Sequence, residues 1–126
     1  MALLLDTSIA IPLRDGDVDV RARVARSDEQ LLLSVISVVE LKAGLTGPVS
    51  PVREATLSLM LREIEVLGFG LAEADAYGAI VQAVGFSRSK VLDRMIAAQA
   101  IVAGATLATL NPADFRDIPG LSLLEW

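Results

Sequence analysis

The sequence has 126 residues, of which 53% are apolar, and it contains no cysteine and no histidine. Those absences exclude disulfides, thiolate or imidazole metal sites, cysteine nucleophiles and triads with a histidine base, so a bound metal would need oxygen ligands, which suit Mg²⁺ or Mn²⁺. The net charge of −5 argues against a nucleic-acid partner unless cations are grouped locally. The length suits one domain, and we expect a single domain over residues 1–126.

Short apolar runs alternate with stretches of helical periodicity, a pattern typical of an α/β domain. Strands are predicted at residues 2–5, 31–36, 66–69, 105–110 and 121–124. The first two are runs of Leu, Val and Ile, as expected for strands buried on both faces of a parallel sheet. A first helix is predicted from residue 9 and another around Glu40, and further helices are predicted at residues 17–26, 51–67, 73–84 and 91–103.

The apolar start of the chain does not resemble a signal peptide, because no positively charged region precedes it and Asp6 follows it at once. The longest weakly polar stretch, residues 95–110, is shorter than the roughly 20 apolar residues that span a bilayer. We therefore expect a soluble, cytoplasmic protein without membrane contact. Its many apolar residues would form a large core and a surface that a partner covers.

Acidic residues lie where the predicted strands end. Asp6 directly follows the first strand, Glu40 lies one turn into the helix after the second, and Asp114 follows the fourth. The carboxyl ends of parallel strands share one edge of the sheet, where ligands of open α/β sheets bind. Asp93 lies near the amino end of the helix before the fourth strand. The sequence thus predicts a cluster of four catalytic acids.

Each acid also has an ordinary explanation at a helix start. Asp6 can cap a helix, residues 37–40 match a capping box, residues 111–114 match a cap followed by proline and an acid, and Asp93 can stabilise a helix dipole. Taken singly, these explanations are favoured. Taken together, several converging carboxylates need a cation among them, and a divalent ion there can activate water and neutralise a phosphoryl oxygen. The combination predicts phosphodiester hydrolysis.

Polar and cationic residues near the acids complete the predicted site. The supporting residues are Thr7, Ser8, Thr109 and Asn111, with Thr109 placed to hydrogen-bond Asp6 or a water. Lys90 and Arg94 are four residues apart on either side of Asp93 and would share a helix face. The candidate contacts to a phosphate backbone are Lys90, Arg94, Arg88 and Arg14. Ordinary surface charge is an equally good explanation of the Lys90 and Arg94 pair, and it is the favoured explanation of the other cations taken singly.

Four segments in this order, LLLDTS, SVVELKAG, VLDRMIAAQA and ATLATLNPADF, followed by IPGL and a final Trp126, resemble the PIN domain. More narrowly, they resemble the VapC-type ribonuclease toxins of bacterial toxin–antitoxin pairs. The resemblance runs from Leu3 to Trp126. It implies a three-layer α/β/α sandwich around a parallel sheet of about five strands in the order 3-2-1-4-5, with the acids converging between strands 1 and 4.

The resemblance also implies an endoribonuclease that depends on Mg²⁺ or Mn²⁺, with Asp6, Glu40 and Asp93 as metal ligands. It implies an RNA substrate, a small antitoxin partner and a homodimer. Many relatives have Asp where this chain has Asn111, so either Asp114 fills the fourth acidic position or the site uses three acids. Two alternatives stay open. One is a catalytically weak PIN fold that binds a partner or RNA without cutting, and the other is a phosphatase-like enzyme with Asp6 as nucleophile.

Overall fold

The computed structural model describes residues 1–48 and 50–126. Within these residues, five strands form one sheet in the order β3-β2-β1-β4-β5, and every neighbouring pair is parallel. The strands are β1 (Ala2–Leu5), β2 (Gln30–Ser34), β3 (Glu65–Leu67), β4 (Thr106–Thr109) and β5 (Leu123–Glu125). The strand order implied by the resemblance is confirmed. Because β1 lies at the centre, the residues that follow β1, β2 and β4 meet at one edge.

Helices cover both faces of the sheet. They are α1 (Thr7–Asp15), α2 (Val18–Arg26), α3 (Val35–Ala43), α4 (Ser50–Glu63), α5 (Leu71–Val84) and α6 (Val91–Ala103). Two 3₁₀ turns, Arg88–Lys90 and Pro112–Asp114, precede α6 and follow β4. None of the helices in the described part of the chain has the length and apolarity to cross a membrane.

Two hydrophobic clusters, one on each face of the sheet, make up the core. Alternation along β1 sends Leu4 to one cluster, with Ile80 of α5 and Ile96 of α6, and sends Leu5 to the other, with Ile9 of α1 and Leu57 of α4. Burying a side chain of this size is worth about 1.5–3 kcal/mol. The expected three-layer sandwich is therefore confirmed, and the central strand fixes the position of the residue that follows it.

The prediction for β2 was wrong at its carboxyl end. The strand stops at Ser34, whose side-chain hydroxyl accepts the N–H of Ile36, and α3 begins at Val35. Such a bond satisfies one of the unpaired amides of the first helical turn. Ser34 is thus the cap of α3, and the predicted capping box at residues 37–40 is wrong. Ser37 and Glu40 are free for other contacts.

The prediction for α4 extended too far. Residues 65–67 leave the helix to pair with β2, in the register Leu32 with Glu65 and Ser34 with Leu67. Pairing with β2 overrides the helical spacing of the apolar residues there. Elsewhere the predicted bounds differ from the observed ones by at most two residues. For example, α1 begins at Thr7 rather than at Ile9, and α6 spans the predicted residues.

Candidate active site

Asp6 is held by two hydroxyl groups at the carboxyl end of the central strand. Its backbone N–H donates to Ala108 O at 2.9 Å, which continues the β1–β4 pairing. Ser8 Oγ and Thr109 Oγ1 donate to Asp6 Oδ2 at 2.8 and 2.9 Å. Although Asp6 precedes α1, its side chain makes no capping bond. The cap explanation therefore fails for Asp6, and the carboxylate is oriented by hydroxyls from α1 and β4.

These two hydroxyls are themselves fixed by backbone amides. The N–H of Leu110 donates to Ser8 Oγ at 3.1 Å, and the N–H of Asn111 donates to Thr109 Oγ1 at 2.9 Å. Each hydroxyl thus accepts a hydrogen bond from a backbone N–H and donates its own to the carboxylate of Asp6. The predicted Thr109–Asp6 bond is present. Asn111 contributes through its N–H, and its exposed side chain does not cap the following 3₁₀ turn.

The second carboxylate oxygen of Asp6, Oδ1, takes no part in these hydrogen bonds. Asp6 is only 3% exposed, and within residues 1–48 and 50–126 its Oδ1 is buried without a hydrogen-bond partner. An unsatisfied buried polar group costs about 1–3 kcal/mol, and more when it is charged. A cation bound to Oδ1 would remove that cost. The atom is therefore suited to be a ligand of a hard metal ion.

Glu40 is positioned by a chain of hydroxyls between α3 and α1. Thr7 Oγ1 donates to Glu40 Oε1 at 2.9 Å, and Ser37 Oγ lies 2.7 Å from Thr7 Oγ1. A carboxylate only accepts, so the single hydroxyl proton of Thr7 is used on Glu40. Ser37 must then be the donor to Thr7. Ser37 thus orients Thr7, and Thr7 orients Glu40.

The pKa of Asp93 shows that the other acids lie close to it. Asp93 lies in the first turn of α6, and its pKa is raised from 3.8 to about 6, first by burial and then by the carboxylates of Asp6, Asp114 and Glu40. The ammonium of Lys90 acts in the opposite direction. The structure therefore brings the other three predicted acids within electrostatic reach of Asp93.

The four acids are spread around the edge rather than closed into a cage. Within residues 1–48 and 50–126, no three acidic side chains are arranged as a ready-made metal site. Mg²⁺ commonly binds through one or two carboxylates and keeps several waters, so a looser arrangement is compatible with it. The unsatisfied Asp6 Oδ1 and the all-oxygen donor set fit such an ion. Asp114, half-buried in the 3₁₀ turn after β4, contributes charge to the same edge.

Two of the four predicted phosphate contacts are buried arginines. Arg14 is 6% exposed, donates to Leu41 O at 3.2 Å and pairs with Asp15. Arg94 is 3% exposed and donates to Gly85 O at 2.7 Å. Their guanidinium groups are used inside the protein, so the prediction that they contact a phosphate backbone does not hold. Lys90 is half-buried and Arg88 is exposed, and for these two the contact with a phosphate backbone stays a prediction.

Ser37 is the site residue that the sequence did not predict as one. Its spacing to Glu40 suggested a cap, whereas the actual cap is Ser34. The signal in the sequence was that Ser37 and Glu40 are three residues apart, which places them on one face of a helix. A hydroxyl buried on that face needs a partner, and Thr7 supplies it.

We expect Ser37→Ala to weaken the site without unfolding the protein. Thr7 would lose its donor, Glu40 would be held less firmly, and the apparent affinity for Mn²⁺ would fall roughly tenfold, as is typical when support of a metal ligand is removed. Ser37→Thr, which keeps the hydroxyl, should restore most of that affinity. Calorimetric titration with Mn²⁺ measures the effect, and thermal unfolding without metal is the control for folding. Equal Mn²⁺ affinity in Ser37→Ala and the wild type would contradict the positioning role.

The chain is similar to known proteins over nearly its whole length. The model of the PIN domain family matches residues 3–121. The ribonuclease VapC1 of Rickettsia felis is 31% identical over 130 residues, which cover 98% of this chain and 96% of that protein. Among solved structures, VapBC2 from Rickettsia felis, bound to a DNA fragment from their promoter, has a TM-score of 0.86 at 24% identity and covers 100% of this chain and 99% of that one. A toxin–antitoxin complex from Klebsiella pneumoniae has a TM-score of 0.78 at 24% identity, with 97% and 95% covered.

Proposed function

Because the chain belongs to the PIN domain family and, within it, to the VapC ribonuclease toxins, we propose that it cuts RNA with Mg²⁺ or Mn²⁺ held by Asp6, Glu40 and Asp93. The single observation that supports this site most is the buried Asp6 Oδ1, which has no partner in the described residues. Asp114 is our proposal for the fourth acid. Its carboxylate raises the pKa of Asp93, whereas the exposed Asn111 acts through its backbone N–H.

The side chains at the edge have separate tasks in this proposal. Ser8 and Thr109 bind Oδ2 of Asp6 and leave Oδ1 available to a cation, and Thr7 orients Glu40. When bound, the cation would supply a nucleophilic water at neutral pH and neutralise charge on a phosphoryl oxygen. Lys90 partly offsets the acidic charge beside Asp93, which eases the approach of a phosphate.

Cleavage with and without metal tests the proposed reaction. Purified protein with Mg²⁺ should cut structured RNA at internal bonds, and EDTA should stop the cutting. Mn²⁺ should also raise the melting temperature, because a ligand that binds only the folded state stabilises it by mass action, by about 2.7 kcal/mol at a hundredfold excess over its dissociation constant. Gel analysis of end-labelled RNA and thermal-shift measurements check the two expectations.

A catalytically weak PIN fold that binds RNA or a partner without cutting is the second candidate. Two features of the sequence favour it. The net charge is −5, and Asn111 occupies a position where the resemblance to the PIN domain implies Asp in many relatives. It predicts neither cleavage nor a thermal shift with Mn²⁺. Absence of both, in protein that is folded before metal is added, would replace the proposed nuclease by this candidate.

We further propose that residues 1–126 act as one cytoplasmic domain, as a homodimer, with a small antitoxin as partner. The surface supports a partner, because several large apolar side chains are more than half exposed, among them Val18, Val39, Val52 and Leu71. The Klebsiella pneumoniae structure of the same fold is a toxin–antitoxin complex. Light scattering of the purified chain tests the dimer, and copurification with the product of an adjacent short gene tests the antitoxin.

A further inference from the structure

Phe86 is the most exposed aromatic residue in the described part of the chain. Its exposed fraction is 69%, whereas Phe115 is 1% exposed and Tyr77 packs against the core. A single exposed apolar side chain is common and by itself implies nothing. The surroundings of Phe86 therefore decide what it can do.

The segment of residues 85–90, called here the aromatic loop, is fixed next to the acids. Gly85 has a φ of +82°, which favours glycine and turns the chain out of α5. Its carbonyl oxygen accepts a 2.7 Å bond from Arg94 Nη1, and Arg94 is a buried residue directly after Asp93. At the other end, the Lys90 N–H donates to Ser87 O at 3.2 Å. A loop held at both ends presents Phe86 at small entropic cost.

Cations accompany the aromatic ring. Arg88 is exposed and follows Phe86 by two residues, and Lys90 at the end of the loop is close enough to Asp93 to lower its pKa. In a chain of net charge −5, this grouping is local and lies where a phosphate would approach. Aromatic rings next to backbone-binding cations are the usual means by which proteins hold unpaired nucleotides.

We propose that the aromatic loop binds an unpaired nucleotide of the RNA beside the cut bond, with its base stacked on Phe86 and its phosphate contacted by Arg88. This inference rests on the proposed function and assigns to it a residue that binds a base next to the cut bond. A base inside a duplex is already stacked on both faces, so the loop selects for single-stranded or looped RNA. Arg94, which is buried, then acts as a positioning residue that holds the loop against Asp93.

Tryptophan fluorescence in a non-cutting background tests the stacking. In Asp6→Asn protein, Phe86→Trp places a reporter in the loop, and Leu71→Trp places one at an equally exposed position, since Leu71 is 80% exposed, at the start of α5. Trp126 is common to both proteins. A twelve-nucleotide oligouridylate should quench the reporter at position 86 and leave the one at position 71 unchanged. A twelve-base-pair RNA duplex should quench neither.

Affinity measurements complete the test. By anisotropy, Phe86→Ala should bind the labelled oligouridylate about tenfold more weakly, as expected for one lost base stack, whereas Phe86→Tyr should bind it normally. Equal binding by the Ala and Tyr variants, or equal quenching at positions 71 and 86, would overturn the inference. So would a Phe86→Ala change that alters only the oligomeric mass, because the loop would then contact a second copy of the chain.

The failure of this inference is distinguishable from failure of the proposed function. Wild-type protein that cuts RNA with Mg²⁺ but shows no dependence of binding on Phe86 removes only the role of the loop. Protein that stacks oligouridylate on position 86 but never cuts, in any divalent metal, removes the nuclease and leaves an RNA-binding module.

Discussion

Asp6→Asn should lower RNA cleavage more than about a hundredfold, because removing a metal ligand costs more than removing its support, which already costs 10–100-fold. The amide oxygen can still accept from Ser8 and Thr109, so the local hydrogen bonds are kept. What is lost is the negative charge and the free Oδ1 atom. Initial rates at saturating Mg²⁺, with Mn²⁺ titrations of the same protein, measure both losses.

Asp75→Asn is the matched control for Asp6→Asn. Asp75 is an exposed residue of α5, and the substitution makes the same change in net charge away from the acidic cluster. It should cut RNA as the wild type does. If Asp6→Asn cuts as fast as Asp75→Asn, then Asp6 is not a metal ligand, whatever the activity of the protein.

Asp93→Asn should stabilise the protein near pH 7.5 without metal while removing its activity. The pKa of Asp93 is about 6 in the folded protein and ordinarily 3.8, so the folded state binds the proton more tightly than the unfolded state does. Stability from this group is present below about pH 4 and is lost as pH rises through 6. After discounting for partial exposure, the loss is about 1 kcal/mol, or a few degrees in melting temperature.

Thermal melts of wild type and Asp93→Asn between pH 4 and 8 measure this effect. The variant should melt higher at pH 7.5, and the two curves should meet near pH 4, where the wild-type carboxyl is protonated. Saturating Mg²⁺ should reverse the order at pH 7.5. The bound cation offsets the repulsion among the ionised carboxylates of the wild type, whereas the variant lacks one of the proposed ligands. A difference that is independent of pH would show that the substitution acts through packing instead of charge.

The sequence was sufficient for the order of the elements and for the edge where the acids meet. Residues 2–5 and 91–103 have the predicted bounds, since Leu-rich and Ala-rich runs leave one structure favoured. It was insufficient at the end of β2, where Val35 and Ile36 suit a strand by propensity. There the hydroxyl of Ser34 starts a helix, and which serine forms a cap depends on backbone geometry rather than on spacing.

The burial of Arg14 and Arg94 was also not predictable from the sequence. Arg14 and Arg94 fall in stretches rich in charge, and charge patterning assigns such residues to the surface. Their carbonyl partners, Leu41 O and Gly85 O, lie 27 and 9 residues away in the sequence. A contact of this kind follows from the packing of helices against each other, which no local pattern records. The acids were found because strand ends converge by topology, and the arginines were missed because nothing local identifies their partners.

The amide of Asn111 has a consequence for which sequences this site can tolerate. Position 111 supports Asp6 through an N–H that every amino acid except proline carries. The side chain at position 111 can therefore be Asn, Asp or another polar type while the hydroxyl of Thr109 keeps its orientation. Proline at position 111 would break that support, even though proline at position 112 is native. Counting acidic residues in this segment would therefore misjudge which related sequences keep a functional site.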